Sequence, residues 1–157
     1  MKAQRFLILL LLILNLLGLA IISCSAPSSL LFPFKKDGKW GYTDEQERRV
    51  IDRQFDYAGA FHEGLARVKV GGKYGYIDER GKYAIRPQFD DAHFFHEGVA
   101  GVKVGDKWGY IDKAGKMVIA PQFDDTFFFD EGLARVKVGN KYGYIDKKGK
   151  LIWNPTN

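Results

Sequence analysis

Hydrophobic and polar residues alternate along residues 65–70, where alanine and valine occupy every second position between arginine and lysine. A period of two indicates a strand with one buried face and one solvent-exposed face. The pair Gly71-Gly72 follows, and it suits a two-residue hairpin with positive φ angles. A second strand, Lys73 to Asp78, is therefore predicted to pair with the first.

A second turn is predicted at residues 78–82. Asp78 can accept backbone N–H groups where the turn begins, and Gly81 is expected to adopt the left-handed conformation of a type I turn with a bulge. A third strand, Lys82 to Arg86, should end at Pro87, because proline cannot donate to a β-ladder. The segment thus predicts a three-stranded antiparallel meander.

An aromatic and acidic connector, residues 88–98, separates this meander from the next one. It is long enough for one helical turn, and its last residue, Gly98, can reverse the chain. We expect phenylalanines in and beside the connectors to fill the space between successive meanders: Phe55, Phe61, Phe89, Phe94, Phe95, Phe123, Phe128 and Phe129.

The whole pattern recurs every 34 residues, and residues 72–105 match residues 106–139 at 22 of 34 positions without a gap. Such self-similarity is the signature of a repeat architecture. The first strand is predicted at Ser29–Phe34, and the last unit ends at Trp153-Asn154. The first unit departs from the pattern, with Glu47 at the turn glycine, Thr43 at the isoleucine and Arg53 at the proline, as terminal repeats often do.

A three-stranded meander cannot bury both faces alone, so neighbouring units must complete its core. We predict an all-β fold in which four such units, near residues 30–64, 65–98, 99–132 and 133–157, stack as an open array. The alternative is a closed, propeller-like ring, which would bring residues 29–34 close to Trp153. Short three-stranded blades favour the open form.

Four strings recur through residues 30–157: G-K-W-G-Y, Y-I-D-x-x-G-K, P-Q-F-D and E-G-L-A-x-V-K-x-G. In these strings the chain resembles the WG (or KWG) repeat family of bacterial proteins. The resemblance implies a β-rich repeat array, often on envelope proteins, and no catalytic activity. The family supplies no established functional residues to carry over.

The N-terminal residues carry the pattern of an export signal. Lys2 and Arg5 precede an apolar run from Phe6 to Ile22. The run ends in Ile21-Ile22-Ser23-Cys24, which resembles the lipobox of bacterial lipoproteins. That resemblance implies cleavage after residue 23 and a diacylglycerol on Cys24, with residues 24–29 as a tether.

Two alternatives remain for the leader: an uncleaved signal anchor in the cytoplasmic membrane, since its apolar run approaches the length of a membrane span, and ordinary cleavage without lipidation. In each case we expect the repeats outside the cytoplasmic membrane. Ser25 lacks the acidic character associated with inner-membrane retention in Gram-negative lipoproteins. The resemblance therefore implies the outer membrane where the host has one.

Charge and cysteine content narrow the possible functions. Without Lys2 and Arg5, 22 basic residues stand against 19 acidic ones, so the mature chain lacks the concentrated basic field of a nucleic-acid binder. The single cysteine excludes an intramolecular disulfide. Stability must come from packing and hydrogen bonds.

Two sets of residues recur with the repeat and are candidates for binding. The first consists of aromatic–glycine pairs, which suit either an exposed ring ladder for sugars and proline-rich peptides or, as we favour, internal packing with close backbone approach: Trp40, Gly41, Tyr74, Gly75, Trp108, Gly109, Tyr142 and Gly143. The second is a basic row on the polar face of the first hairpin, suited to anionic envelope polymers or simply to solvated strand edges: Arg67, Lys69, Lys73, Lys103, Lys107, Arg135, Lys137 and Lys141. The turn glycines Gly81, Gly115 and Gly149 complete the repeated structural residues.

Neither a metal site nor a catalytic site is predicted. The histidines are spread over the connectors, where His93 and His96 form the closest pair, and zinc requires three or four converging ligands. Repeated acids such as Asp78 and Asp112 occupy equivalent environments, whereas general acid–base catalysis needs carboxyls in different environments.

The sequence therefore predicts a non-catalytic binding or scaffolding module at the bacterial cell envelope, with no cofactor. Its partners would be the membrane, through Cys24, and an unknown protein or envelope polymer. The alternatives are an envelope hydrolase acting on glycans and a binder of polyanions or cell-wall polymers.

Overall fold

The computed structural model describes residues 30–153, which form four antiparallel sheets in tandem and contain no helix. The predicted signal, Cys24 and its tether lie outside the described residues. The first sheet, sheet A, contains β1 (Phe32–Lys36), β2 (Lys39–Thr43) and β3 (Arg49–Phe55). Sheet B contains β4 (Tyr57–His62), β5 (Leu65–Val70), β6 (Lys73–Asp78) and β7 (Tyr83–Phe89).

Sheets C and D repeat this arrangement at intervals of 34 residues. Sheet C contains β8 (Asp91–Ala92), β9 (Val99–Val104), β10 (Lys107–Asp112) and β11 (Met117–Phe123). Sheet D contains β12 (Asp125–Thr126), β13 (Leu133–Val138), β14 (Lys141–Asp146) and β15 (Leu151–Trp153). The prediction of an all-β array of antiparallel repeats in open sheets is confirmed. No helix within residues 30–153 is long and apolar enough to cross a membrane.

The turn between the second and third strands of each meander has the predicted chemistry. The carboxylate of Asp78 accepts the N–H groups of Arg80 and Lys82, at 3.0 and 2.9 Å. Gly81 has a φ of 79°, in the left-handed region. The prediction of a capped turn with a left-handed glycine is therefore confirmed.

The connectors differ from the prediction, because they contain a strand and no helical turn. The strand β4, β8 or β12 pairs with the first strand of the following meander and makes a fourth strand of sheets B, C and D. Each connector then ends in a two-residue hairpin with positive φ, as at Glu63-Gly64. Pairing with the next strand satisfies backbone groups that an isolated helical turn would leave open.

Two predicted strand boundaries are also wrong. The first strand covers Phe32–Lys36 rather than Ser29–Phe34, because its hairpin partner β2 fixes the register at Phe32 opposite Thr43. The third strand continues through Pro87 to Phe89 instead of ending at the proline. The pairing of β6 with β7 has a break in register between Tyr74 and Tyr76. Pro87 lies in the resulting bulge, where no N–H group is needed for a hydrogen bond to the neighbouring strand.

The glycine of the aromatic–glycine pair lies opposite this bulge. A methyl group added to Gly75 would lie 2.6 Å from the carbonyl oxygen of Ile85 and 2.6 Å from the nitrogen of Pro87. Gly41 and Gly109 meet the equivalent carbonyl oxygens at 2.5 Å. The predicted close approach of backbone to these three glycines is confirmed, and buried Gly143 occupies the same place in β14.

Each core lies between two sheets rather than within one. Val68 and Ile77 of sheet B pack against Tyr42 of sheet A, whereas Tyr76 and Ile85 on the opposite face of sheet B pack against sheet C. A third cluster joins sheets C and D. Both faces of sheets B and C are therefore buried by neighbours, which confirms the shared core.

The Tyr42, Tyr76 and Tyr110 side chains are fully buried in these cores. Burial raises the pKa of each phenol. Each hydroxyl donates to a backbone carbonyl of the next connector, at Gly59, His93 and Phe127 respectively. Each sheet is thus fastened to the following one by the same buried hydrogen bond.

Glutamates of the connector hairpins also fasten one unit to the next. The carboxylate of Glu63 accepts the N–H of Gly98 at 3.0 Å and pairs with Lys113 at 3.1 Å. Glu97 repeats both contacts with Gly132 and Lys147. The Lys147 hydrogen bond is the main reason that the pKa of Glu97 lies below its usual value.

Candidate binding face

In each sheet, the ring of the aromatic–glycine pair and a lysine of the first strand lie side by side on the same face. Each ring is on the second strand of a meander, directly opposite a lysine of the first strand. The four cross-strand pairs are Trp40 with Lys35, Tyr74 with Lys69, Trp108 with Lys103, and Tyr142 with Lys137. We call this set the cation–aromatic row.

Three of these lysines lie over the ring that they face. The ammonium nitrogen is 4.8 Å from the ring centroid for Lys69 over Tyr74, 5.9 Å for Lys35 over Trp40 and 5.8 Å for Lys137 over Tyr142. These distances lie within the range of a cation–π interaction. Tyr142 is the most exposed ring of the row, Trp40 and Tyr74 are half-buried, and Trp108 is buried.

Two arginines strengthen the row. The guanidinium of Arg67 lies 5.1 Å from the ring centroid of Tyr57 and 5.4 Å from that of Tyr74. It also donates to the Tyr57 hydroxyl and to the backbone oxygen of Ala92. These contacts hold the guanidinium and the rings in a fixed arrangement.

Arg135 has the equivalent position in sheet D. Its guanidinium lies 4.1 Å from the ring centroid of Phe127 and 4.7 Å from that of Tyr142. Here the rings are exposed, so the arginine and its aromatic partners are both accessible from solvent.

Tyr57 belongs to this face and was missed by the sequence analysis. Its ring centroid lies 6.1 Å from that of Trp40 and 6.1 Å from that of Tyr74, so it joins the rings of sheets A and B. Asp91 and Asp125 occupy the same repeat position in sheets C and D. The tyrosine at a position where these two units have aspartate was the signal in the sequence that could have identified Tyr57.

In sheet C, the ring of the row is covered by a histidine instead of a lysine and an arginine. Gly101 stands where Arg67 and Arg135 stand in the neighbouring sheets, and the His93 ring uses the space. The imidazole stacks on Trp108, with centroids 4.5 Å apart and planes 10° apart, and its Nε2 lies 3.0 Å from the Thr126 backbone oxygen. Burial lowers the pKa of His93, so the neutral imidazole covers this ring.

Lys73 and Lys107 of the predicted basic row do not belong to the cation–aromatic row, because they form ion pairs elsewhere. They pair with Asp90 and Asp124, whose carboxylates also accept the N–H groups of hairpin glycines. The lysine hydrogen bonds are the main reason that the pKa values of both aspartates are lowered. Lys141 begins β14 and is exposed at the equivalent position.

The histidines lie between units in separate places. His62 stacks on Phe94 at 4.4 Å, and the Nδ1 of His96 lies 2.6 Å from the Phe129 backbone oxygen. Within residues 30–153, no three histidine, cysteine, aspartate or glutamate side chains are grouped so that they could hold a metal ion.

The repeats match a family model described as the WG containing repeat, at residues 40–74, 74–108 and 108–142. This chain belongs to the WG repeat family. Each matched WG repeat begins and ends on a ring of the cation–aromatic row, so the row follows the family period. No curated protein matches the chain.

Proposed function

We propose that this WG repeat protein is a non-catalytic binding module of the bacterial cell envelope, and that its cation–aromatic row binds an anionic polymer. The observation that carries the proposal is the same placement of a lysine over a ring in sheets A, B and D. A cation attracts an anionic group, and the adjoining ring offers a flat apolar surface for a sugar or a similar unit. Equivalent sites on sheets A, B and D suit a partner that is itself repetitive.

The placement of the other polar groups supports binding rather than catalysis. Asp78 and Asp112 cap turns, and Asp90 and Asp124 form ion pairs with lysines. A catalytic centre requires groups with distinct roles that converge on one point. The repeated environments of these carboxylates instead resemble one another from unit to unit.

Binding to an anionic polysaccharide, with a neutral glucan for comparison, tests this function. We expect the full chain to bind the anionic polymer and to lose affinity as salt rises. Lys69→Gln combined with Lys137→Gln should weaken binding several-fold, because two of the three lysines that lie over rings are removed. Lys116→Gln is the matched control, since Lys116 is exposed and lies at a turn outside the row. Equal loss in the control, or equal binding to the neutral glucan, would contradict the proposal.

The envelope address belongs to the same proposal and rests on Cys24 of the lipobox-like segment. We expect Cys24→Ser to abolish labelling by a radioactive fatty acid and to leave unprocessed precursor, while the repeats keep their fold. Mass spectrometry of membrane-derived protein provides the direct check. An unmodified Cys24 there would exclude the lipid anchor.

A further inference from the structure

The outer face of sheet D is exposed where the equivalent face of every other sheet is covered. The residue Tyr144 is 38% exposed, whereas Tyr42, Tyr76 and Tyr110 at the same repeat position are 0% exposed. Leu133 is 38% exposed, whereas the equivalent Leu65 is 9% exposed. We call this surface, with neighbouring Phe128, the tail face. An exposed apolar surface of this kind indicates a contact surface.

The chain itself shows what kind of surface fits the tail face. On sheets A, B and C, the equivalent face is covered by the connector and the first hairpin of the next unit. The buried tyrosine meets a connector phenylalanine at 4.9 Å for Tyr42 and Phe61, and at 4.7 Å for Tyr76 and Phe95. The complement of the tail face is therefore the leading face of a WG unit.

One leading face is also exposed, on sheet A. Phe32, Phe34 and Thr43 occupy the positions at which Ala66, Val68 and Ile77 of sheet B pack on sheet A. Phe32 is 48% exposed. These three residues line a groove of about 770 Å³ on the outside of the sheet. We call this surface the head face.

We propose that the tail face of one molecule docks on the head face of a second copy of this chain. The contact would continue the interface that already joins sheets A to B, B to C and C to D. It is heterologous, because two different surfaces meet, so a docked pair still presents one head face and one tail face to further copies.

The charges at this junction set its strength. Inside the chain, Glu63 pairs with Lys113 and Glu97 pairs with Lys147 across successive units. At the junction between two copies the repeat register brings Glu131 of one molecule to Glu45 of the next. Two exposed carboxylates thus face each other where the internal interfaces have an ion pair. Like charges weaken the contact, and salt that screens them should strengthen it.

Sedimentation velocity of the full chain in detergent solution tests the docking. We expect the wild type to associate with rising protein concentration, and more strongly at high salt. Glu45→Lys restores the lysine of the internal interfaces and should tighten association up to about tenfold, the sum of a removed repulsion and a new exposed pair. Glu79→Lys is the matched control, because Glu79 holds the equivalent position within sheet B and should leave association unchanged. Adding Glu131→Lys to Glu45→Lys should reverse the gain.

A second pair of variants tests the apolar part of the contact. Leu133→Lys places a charge on the tail face and should abolish association, whereas Val118→Lys, at a residue 41% exposed on β11, should not. Monomers at every concentration, also with Glu45→Lys, would overturn the proposal. A closed dimer whose affinity is unchanged by Glu45→Lys would also overturn it, because that result indicates tail-to-tail pairing. A monomer that becomes more compact with Glu45→Lys would overturn it as well, because that result indicates ring closure within one chain.

Discussion

Four residues share one turn position, and only one of them is not glycine. Gly81, Gly115 and Gly149 have φ angles of 79°, 81° and 77°, and Glu47 has a φ of 58° at the same place. The three glycines also contact the preceding sheet, since a methyl group on Gly115 would lie 3.3 Å from Ile85. Sheet A has no preceding sheet among the described residues. The side chain of Glu47 therefore crowds no neighbouring sheet, and only its left-handed backbone conformation costs free energy.

Glu47→Gly is therefore expected to stabilise the protein. The left-handed conformation costs a residue with a side chain about 1 kcal/mol, and glycine removes that cost while losing part of the gain to its freer unfolded chain. Gly115→Val should instead destabilise by clearly more, because it adds both left-handed strain and crowding against Ile85. Urea unfolding of both variants measures the two free energies. Equal losses at the two positions would mean that the turn does not impose this conformation.

His93 makes the stability depend on pH. Burial lowers its pKa in the folded state, so the unfolded chain binds the proton more readily. The stabilising contribution is present above the ordinary histidine pKa and is lost as pH falls through it towards the folded value, with a slope of at most about 1.4 kcal/mol per pH unit.

His93→Phe should reduce this loss between pH 7 and pH 5, because phenylalanine can stack on Trp108 without a titrating group. Sheet D supplies the precedent, since Phe127 occupies the same repeat position. Unfolding midpoints across this pH range check the prediction. His62→Phe is the matched control for the substitution itself, as His62 is exposed and also stacks on a ring.

At the scale of the strand pair, the glycine of each WG motif permits the bulge on the third strand. Gly109 admits the carbonyl oxygen of Ile119 to 2.5 Å from where a methyl group would lie. Gly109→Ala should destabilise by about 1–3 kcal/mol through crowding and should weaken the pairing of β10 with β11. Gly59→Ala is the control, because its nearest neighbouring atom would be 3.6 Å away. Thermal unfolding and amide exchange measure both effects, and similar losses in both variants would refute the bulge explanation.

Strands and hairpins were predictable because their signals are local. Alternation identified the strands, and Asp78 and Gly81 identified the turn through their own backbone preferences. The connector strand was not predictable in this way. The strand β8 has two residues, and its partner β9 begins seven residues later, so no period could develop. The strand end predicted at Pro87 was wrong for a related reason. Only the register of β6 against β7 shows that the N–H group that proline lacks is not needed there.

The lysines and the aromatic rings of the candidate site were each predictable from the sequence, but their contact with one another was not. The strand period placed the lysines on the polar side, and the repeat placed the rings beside buried positions. Their union depends on the cross-strand register, which pairs Lys69 with Tyr74. Tyr57 lay beyond the prediction because its contact with Trp40 joins two sheets, and only the packing of the units determines that distance.

At the scale of the whole molecule, stability belongs to the junctions between units. Sheet B has one face in the core shared with sheet A and the other in the core shared with sheet C. A single sheet removed from the array would expose Tyr76 and Ile77, which are fully buried on opposite faces. In such an array, the total stability is approximately a sum of weak units and favourable interfaces.

A fragment of residues 57–89, which corresponds to sheet B, should therefore fail to fold cooperatively, since it has four strands and no completed core. A fragment of residues 57–123 contains sheets B and C with the whole core between them, and it should unfold in one transition at lower denaturant than the full chain. Circular dichroism during urea titration distinguishes these outcomes. Cooperative unfolding of the single sheet would show that its own hairpins supply the stability. The shared core would then account for how the sheets are arranged, but not for why each one forms.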